Sequence, residues 1–132
     1  AEHVAGSHTR FAAMMTLKAQ ELGMTQTRYA NANGLPDSRQ LTSARDLAIL
    51  CRSLLRDFPQ HYRFFGVNSW FYGGREYRNT NGLLNSGQGY DGIKTGFTNA
   101  SGYNLAASAV RDGRRIITIV LGGRSTATRN EH

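Results

Sequence analysis

The apolar residues of this chain change period near residue 67, and that switch limits it to folds in which helices come first and strands follow. Before it, Leu47, Leu50, Cys51, Leu54 and Leu55 recur at i, i+3, i+4, i+7 and i+8, one face of an amphipathic helix. After it, short apolar and aromatic runs are punctuated by Gly73-Gly74, Asp112-Gly113 and Gly122-Gly123. Such pairs mark hairpin turns and strand ends. Helices followed by strands imply an α+β fold.

Taken in order, Ala1 to Leu22 is expected to be one helix, with Val4, Phe11, Met14, Met15 and Leu22 on a shared face and Gly23 as its stop. Thr25 to Gln40 is an irregular connection rich in turn formers, among them Asn31, Asn33, Gly34 and Pro36. Ser43, with Asp46 three residues on, resembles a capping box that opens the second helix. Pro59 ends that helix near Asp57, and Gln60 to Phe65 adds a further turn. Asn68 to Tyr72 and Arg75 to Asn79 flank Gly73-Gly74 as a hairpin. Trp70 and Tyr72 share one face with Tyr77 across from them, and packing within the hairpin is favoured for these rings over lining a groove.

Asn79 to Gly89 reads as a loop. Asp91 to Thr95, Tyr103 to Val110 and Arg115 to Leu121 then form an antiparallel meander. The last of these, apolar at nearly every position, reads as the buried central strand. Ser125 to His132 starts a helix. The chain is therefore expected to be a single partial domain, 1–132. It divides into a mainly helical part (1–66), antiparallel strands (67–124) and the beginning of a truncated helix (125–132).

The 132 residues carry a formal charge of +7, and 14 of the 16 basic residues are arginine. They are dispersed, with only Arg114-Arg115 adjacent, whereas a nucleic-acid binder concentrates its basic residues. No nucleic-acid partner is expected. Cys51 is the only cysteine, so neither an intrachain disulfide nor a cysteine metal cluster can form. It lies on an apolar helical stripe and reads as a structural thiol. His3 and His8 are five apart and share no helical face, so neither a metal nor a cofactor is expected. No apolar run approaches the length of a bilayer, and the N-terminus is unlike a signal peptide.

The chemistry concentrates in Tyr90-Asp91-Gly92-Ile93-Lys94-Thr95-Gly96-Phe97, followed by Ser101-Gly102-Tyr103-Asn104. Lys94 offers a compact positive charge and Thr95 a hydroxyl. Gly96, lacking a Cβ, lets another molecule approach the backbone. Together they make a receptor for an anionic group lying along a strand edge.

Four stretches resemble the serine-type D-alanyl-D-alanine carboxypeptidases, the low-molecular-mass penicillin-binding proteins. They are Ala1 to Ser7, Asn33-Gly34-Leu35-Pro36-Asp37, Thr42 to Ala48, and Asp91 to Gly96 with Ser101 to Leu105. In order they cover nearly the whole chain. The resemblance implies a portion of the penicillin-binding-protein/β-lactamase-like transpeptidase fold, the later part of its catalytic domain. It implies a serine in a Ser-x-x-Lys motif that attacks the bond between two terminal D-alanines of the peptidoglycan stem peptide, and that β-lactams acylate. Lys94 would supply positive potential beside that nucleophile. The backbone N–H of Phe97 would help hold the oxyanion, and Thr95, Gly96 and Arg129 would receive the substrate's terminal carboxylate. Phe97 departs from relatives that carry histidine there.

The larger departure is that no Ser-x-x-Lys and no Ser-x-Asn occurs. Tyr29-Ala30-Asn31 and Tyr77-Arg78-Asn79 fit a Tyr-x-Asn variant but read as turn and strand residues. The chain alone is therefore expected to be inactive, completed by an N-terminal companion bearing Ser-x-x-Lys or else prone to self-association. Two other readings stand beside this one, a portion of a class A type β-lactamase and a non-catalytic peptidoglycan-binding module. The resemblance implies a periplasmic or extracytoplasmic setting, with membrane association in the full-length protein. The excess positive charge suits an anionic cell-wall polymer.

Overall fold

Gly6 adopts φ 80° and ends a first short helix, α1 (Glu2–Ala5), by donating its N–H to the Glu2 carbonyl. Ser7 is extended, and its hydroxyl accepts the Arg10 N–H, capping α2 (His8–Glu21). The single helix expected over Ala1 to Leu22 is therefore two. The computed structural model describes all residues, Ala1–His132.

The end of α2 is as the sequence implies. Gly23 is left-handed at φ 86°, its N–H reaches the Gln20 carbonyl, and Met24 N–H reaches Ala19. That is a Schellman closure, and Met24, 1% exposed, supplies its apolar plug. The face of α2 that packs matches the expected one in part, with Phe11, Met15 and Leu22 half-buried. Ala12 and Ala19 are buried, and the Thr16 hydroxyl accepts the Tyr29 N–H at 2.9 Å. Small side chains let the Thr27–Tyr29 backbone come close, while Val4, Met14 and Leu17 face outward.

Helix α3 (Ala44–Asp57) begins with the Ser43 hydroxyl accepting the Asp46 N–H. Asp46 does not complete the box. Its carboxylate, fully buried, turns away to accept the Gln26 N–H at 2.8 Å and the Thr27 hydroxyl at 2.7 Å. Arg28 and Leu41 exchange both backbone hydrogen bonds, so the long connection between α2 and α3 is closed at its base. A short helix α4 (Pro59–Tyr62) and a 3-10 turn (Arg63–Gly66) follow.

Strands β1 (Ser69–Tyr72) and β2 (Arg75–Arg78) form a hairpin whose Gly73 and Gly74 both have positive φ, as a type I′ turn requires. Trp70 pairs across from Tyr77. The rings nevertheless stand open to solvent, Trp70 64% exposed and Tyr72 71%. The hairpin projects as an arm, with its rings in solvent rather than against the body.

The second sheet is antiparallel, in the order β3 (Tyr90–Thr98), β4 (Gly102–Arg111), β5 (Arg114–Gly123). The central strand is β4, with Leu105, Ala107, Ser108 and Ala109 buried. The apolar strand expected at the centre is β5, an edge strand with Ile116 and Leu121 exposed. Strand β5 and β4 pack against α3, and the core joins Cys51, Tyr62 and Ile93 with Leu55, Phe65, Ile117 and Ile119. Burial pushes the Cys51 thiol up to about 11, consistent with a structural role. Helix α5 (Thr126–Glu131) opens on a capping box between Ser125 and Thr128 and packs on β5 and β4. No helix is long and apolar enough to cross a membrane.

Candidate active site

Strand β3 pairs with β4 alone, so its outer edge is free of any backbone partner in the sheet. Four of the five candidate residues lie on it, placed by the register Lys94↔Ala106, Thr95↔Leu105, Gly96↔Asn104 and Phe97↔Tyr103. Lys94 and Gly96 are exposed, and Thr95 between them is 8% exposed. The Lys94 ammonium donates to the Thr95 carbonyl, and none of the chain's ion pairs involves it. A Cβ placed on Gly96 would meet nothing within 4 Å, so the backbone there faces open space.

The strand is fixed from its start. The pairing with β4 skips Asp91, leaving it as a bulged residue between Tyr90 and Gly92. Its carboxylate accepts Arg115 Nη1 at 2.9 Å on both oxygens and the Tyr62 hydroxyl at 3.0 Å. Burial, with the Asp91 charge beside it, pushes the Tyr62 phenol up to about 12. Asp91, which in the sequence alone reads as a strand-entry residue, thus ties β3 to β5 and α4.

Thr80 is the residue that sequence reasoning missed. Its hydroxyl lies 2.6 Å from the Thr95 hydroxyl. Next to it, Asn81 is 1% exposed and donates its amide to the Gly92 carbonyl. The segment was readable only as an Asn- and Gly-rich loop. The available signal was the pair Asn79 and Asn81, whose side chains accept the N–H groups of Asn81 and Leu83 and build a fixed turn.

Arg129 is not hydrogen-bonded to any of the β3 residues. It sits on α5, 4% exposed, with Nε donating to Asn130 Oδ1 at 3.0 Å and Nη2 buried without a partner. A Cβ on Gly123 would come 3.1 Å from Arg129 Cβ, so that glycine lets α5 seat against β5. The Thr80–Gly82 segment bridges the two parts: Thr80 contacts Thr95, and Gly82 lies beside Asn130.

Phe97 is 53% exposed and tilts against Tyr103, ring centroids 4.4 Å apart. A cleft of about 510 Å³ runs between Phe97–Ala100 and the Asn33–Pro36 loop. The loop holds its shape through Asn31, which accepts the Gly34 N–H and donates to the Leu35 carbonyl. Asn79 likewise donates to the Val67 carbonyl. Both Tyr-x-Asn asparagines are thus engaged in local structure.

Solved structures share this fold. Penicillin-binding protein 5 from Haemophilus influenzae superposes with a TM-score of 0.94 at 34% identity, covering 98% of this chain and 38% of that one. Penicillin-binding protein D2 from Listeria monocytogenes, in its cefotaxime-bound form, gives 0.84 at 33% identity over 92% of this chain and 51% of that one. The fold is that of the penicillin-binding proteins.

The family described as D-alanyl-D-alanine carboxypeptidase matches residues 1–125. The D-alanyl-D-alanine carboxypeptidase DacD of Salmonella typhimurium is 37% identical over 132 residues, 99% of this chain and 34% of that protein. The chain belongs to the D-alanyl-D-alanine carboxypeptidase family, and it spans about a third of the length of this curated relative.

Proposed function

We propose that these residues form one wall of the active site of a serine-type D-alanyl-D-alanine carboxypeptidase acting on peptidoglycan stem peptides. The observation that carries this reading is the free edge of β3, where Lys94 has no carboxylate partner and the Gly96 backbone faces open space. A peptide ending in a carboxylate lies along such an edge as an added strand.

In the proposed reaction a serine hydroxyl attacks the carbonyl between the two terminal D-alanines. The C–N bond breaks, the leaving amine takes a proton and free D-alanine departs. Water then hydrolyses the acyl ester. Lys94 places a positive charge beside the nucleophile, and the Phe97 N–H donates to the developing oxyanion. The Thr95 hydroxyl and the unpartnered Nη2 of Arg129 receive the terminal carboxylate, with Gly96 leaving room for it. A bound carboxylate would satisfy a guanidinium nitrogen that otherwise stays buried without a partner. Phe97, with Leu35 and Pro36 across the cleft, shapes the space beside the reacting bond.

The 132 residues hold no Ser-x-x-Lys, so in this reading the nucleophile comes from residues outside this sequence, on the same polypeptide or on a companion. Without them, the edges of β3 and β5 and the outward face of α2 favour self-association. Peptidoglycan as substrate places the reaction outside the cytoplasmic membrane. Membrane association belongs to the same reading.

Intact mass before and after incubation with a labelled penicillin tests this. The 132-residue chain alone is expected to stay unlabelled. The polypeptide that supplies Ser-x-x-Lys, combined with these residues, is expected to take one label and to lose that capacity with Lys94→Ala. A covalent adduct on the isolated chain, or labelling indifferent to Lys94, overturns the reading.

A further inference from the structure

The aromatic residues that stand most exposed gather on one arm. Trp70 and Tyr72 alternate onto one face of β1, and Tyr77 lies opposite Trp70 on β2. The Arg75 guanidinium lies over one face of the Tyr77 ring, 5.2 Å from its centroid, and Tyr77 is still 48% exposed. At the base, Phe64 and Val67 line a groove of about 340 Å³ with Trp70 and Tyr77, and Ser69, Arg78 and Asn79 supply its polar atoms. Exposed rings in such number mark a binding surface rather than stray surface residues.

The arm is anchored firmly. Asn79 N–H bonds the Asn68 carbonyl and its amide bonds the Val67 carbonyl, closing the base of the hairpin onto the 3-10 turn. That turn packs on β3, where a Cβ on Gly66 would come 3.0 Å from the Asp91 carbonyl oxygen. Two residues beyond β2, Thr80 touches Thr95. The ring face and the Lys94–Gly96 edge are therefore held in fixed relation.

We propose that the β1–β2 arm is a carbohydrate platform that holds the glycan strand of the polymer whose stem peptide reaches β3. The identity of the ligand rests on the reading of the site given above. A pyranose ring presents apolar C–H groups on its faces and hydroxyl or acetamido groups at its rim. Trp70 and Tyr77 offer flat apolar surface, and Arg75 and Arg78 offer donors at the margins. The tip composition disfavours a lipid anchor. It is Tyr72-Gly73-Gly74-Arg75, with no Leu, Ile or Met to bury among acyl chains.

Trp70 is the only tryptophan, so its emission reports on this surface alone. Titrating the 132-residue chain with a soluble β-1,4-linked N-acetylglucosamine oligomer is expected to give a saturable emission change and protection from acrylamide quenching. Tyr77→Ala is expected to weaken binding about three- to tenfold, the contribution of one stacked ring. Phe71→Ala, on the opposite face and more exposed than Tyr77, is expected to leave it unchanged while controlling for hairpin integrity. No emission change, or equal loss with Phe71→Ala, overturns the platform. So does a response to phospholipid vesicles in place of the oligomer, or to chain concentration alone. Penicillin capture by these residues combined with the polypeptide that supplies Ser-x-x-Lys is a separate readout: its failure with glycan binding intact removes the carboxypeptidase reading and keeps the platform, and the reverse removes the platform alone.

Discussion

A threonine hydroxyl carries one proton, so in the 2.6 Å contact between Thr80 and Thr95 one hydroxyl donates and the other keeps its proton for another acceptor. If Thr80 donates, the Thr95 proton is left for a substrate carboxylate, and Thr80 becomes the residue that aims it. Removing the donor leaves Thr95 without that bias and without a buried partner. In the catalytically complete protein, Thr80→Val is expected to lower the rate constant for penicillin acylation roughly three- to tenfold, the worth of one hydrogen bond of about 0.5–1.5 kcal/mol. Thr80→Ser is expected to restore it. Acylation that ignores Thr80→Val, or Ser and Val variants that behave alike, would show that the contact only packs the loop. Arg129 belongs to the same proposal from the other side. Its Nη2 is the one guanidinium nitrogen in the chain buried without a partner.

Elements were legible where one local rule decides them. The α3 stripe, the Ser43 cap and the Gly73-Gly74 turn each follow from a few adjacent residues. The break at Gly6 was not, because glycine inside a helical pattern is often tolerated, and only Ser7 capping the next turn decides the matter here. The position of β5 was not legible either, since an apolar run records burial but not which neighbours provide it. Within the site, the order Lys94-Thr95-Gly96 was plain, whereas Thr80 and Asp91 act across 15 and 24 residues of sequence. Gly92 shows how tightly β3 is set: a Cβ there would lie 2.9 Å from the Tyr62 hydroxyl and 3.1 Å from Phe65 Cβ. Gly92→Ala is expected to destabilise the fold by about 1–3 kcal/mol, the usual range for overpacking. A thermal melt reads this directly, and an unchanged midpoint would mean that α4 and the 3-10 turn move aside at little cost.

At the scale of the whole molecule, a few buried groups decide how stability changes with pH. Burial opposes ionisation of Asp46, but the Thr27 hydroxyl, the Gln26 N–H and the Ser43 hydroxyl outweigh it and hold the carboxyl below its ordinary value. A carboxyl depressed in the folded state stabilises above its unfolded pKa of about 3.9, and that contribution is lost as pH falls through the folded value. Asp37 and Asp57 are lowered as well, each by an adjacent arginine, but those pairs are exposed and salt screens them. The acid limb should therefore follow Asp46, which joins α3 to the connection that precedes it. The alkaline limb has the opposite sign. Cys51 and Tyr62 are kept neutral by burial, so their contributions are full below the unfolded pKa values of about 8.5 and 10. They are lost as pH rises toward about 11 for the thiol and about 12 for the phenol. Melting temperatures from pH 2 to pH 11 are expected to trace a dome. Asp46→Asn lowers the plateau and flattens the slope below about pH 5, and Cys51→Ala flattens the slope above about pH 8.5. An Asp46→Asn curve that falls in parallel with the wild type at low pH would assign acid unfolding to the surface arginine pairs. In that case high salt would remove the slope in both proteins, which a buried carboxylate does not allow.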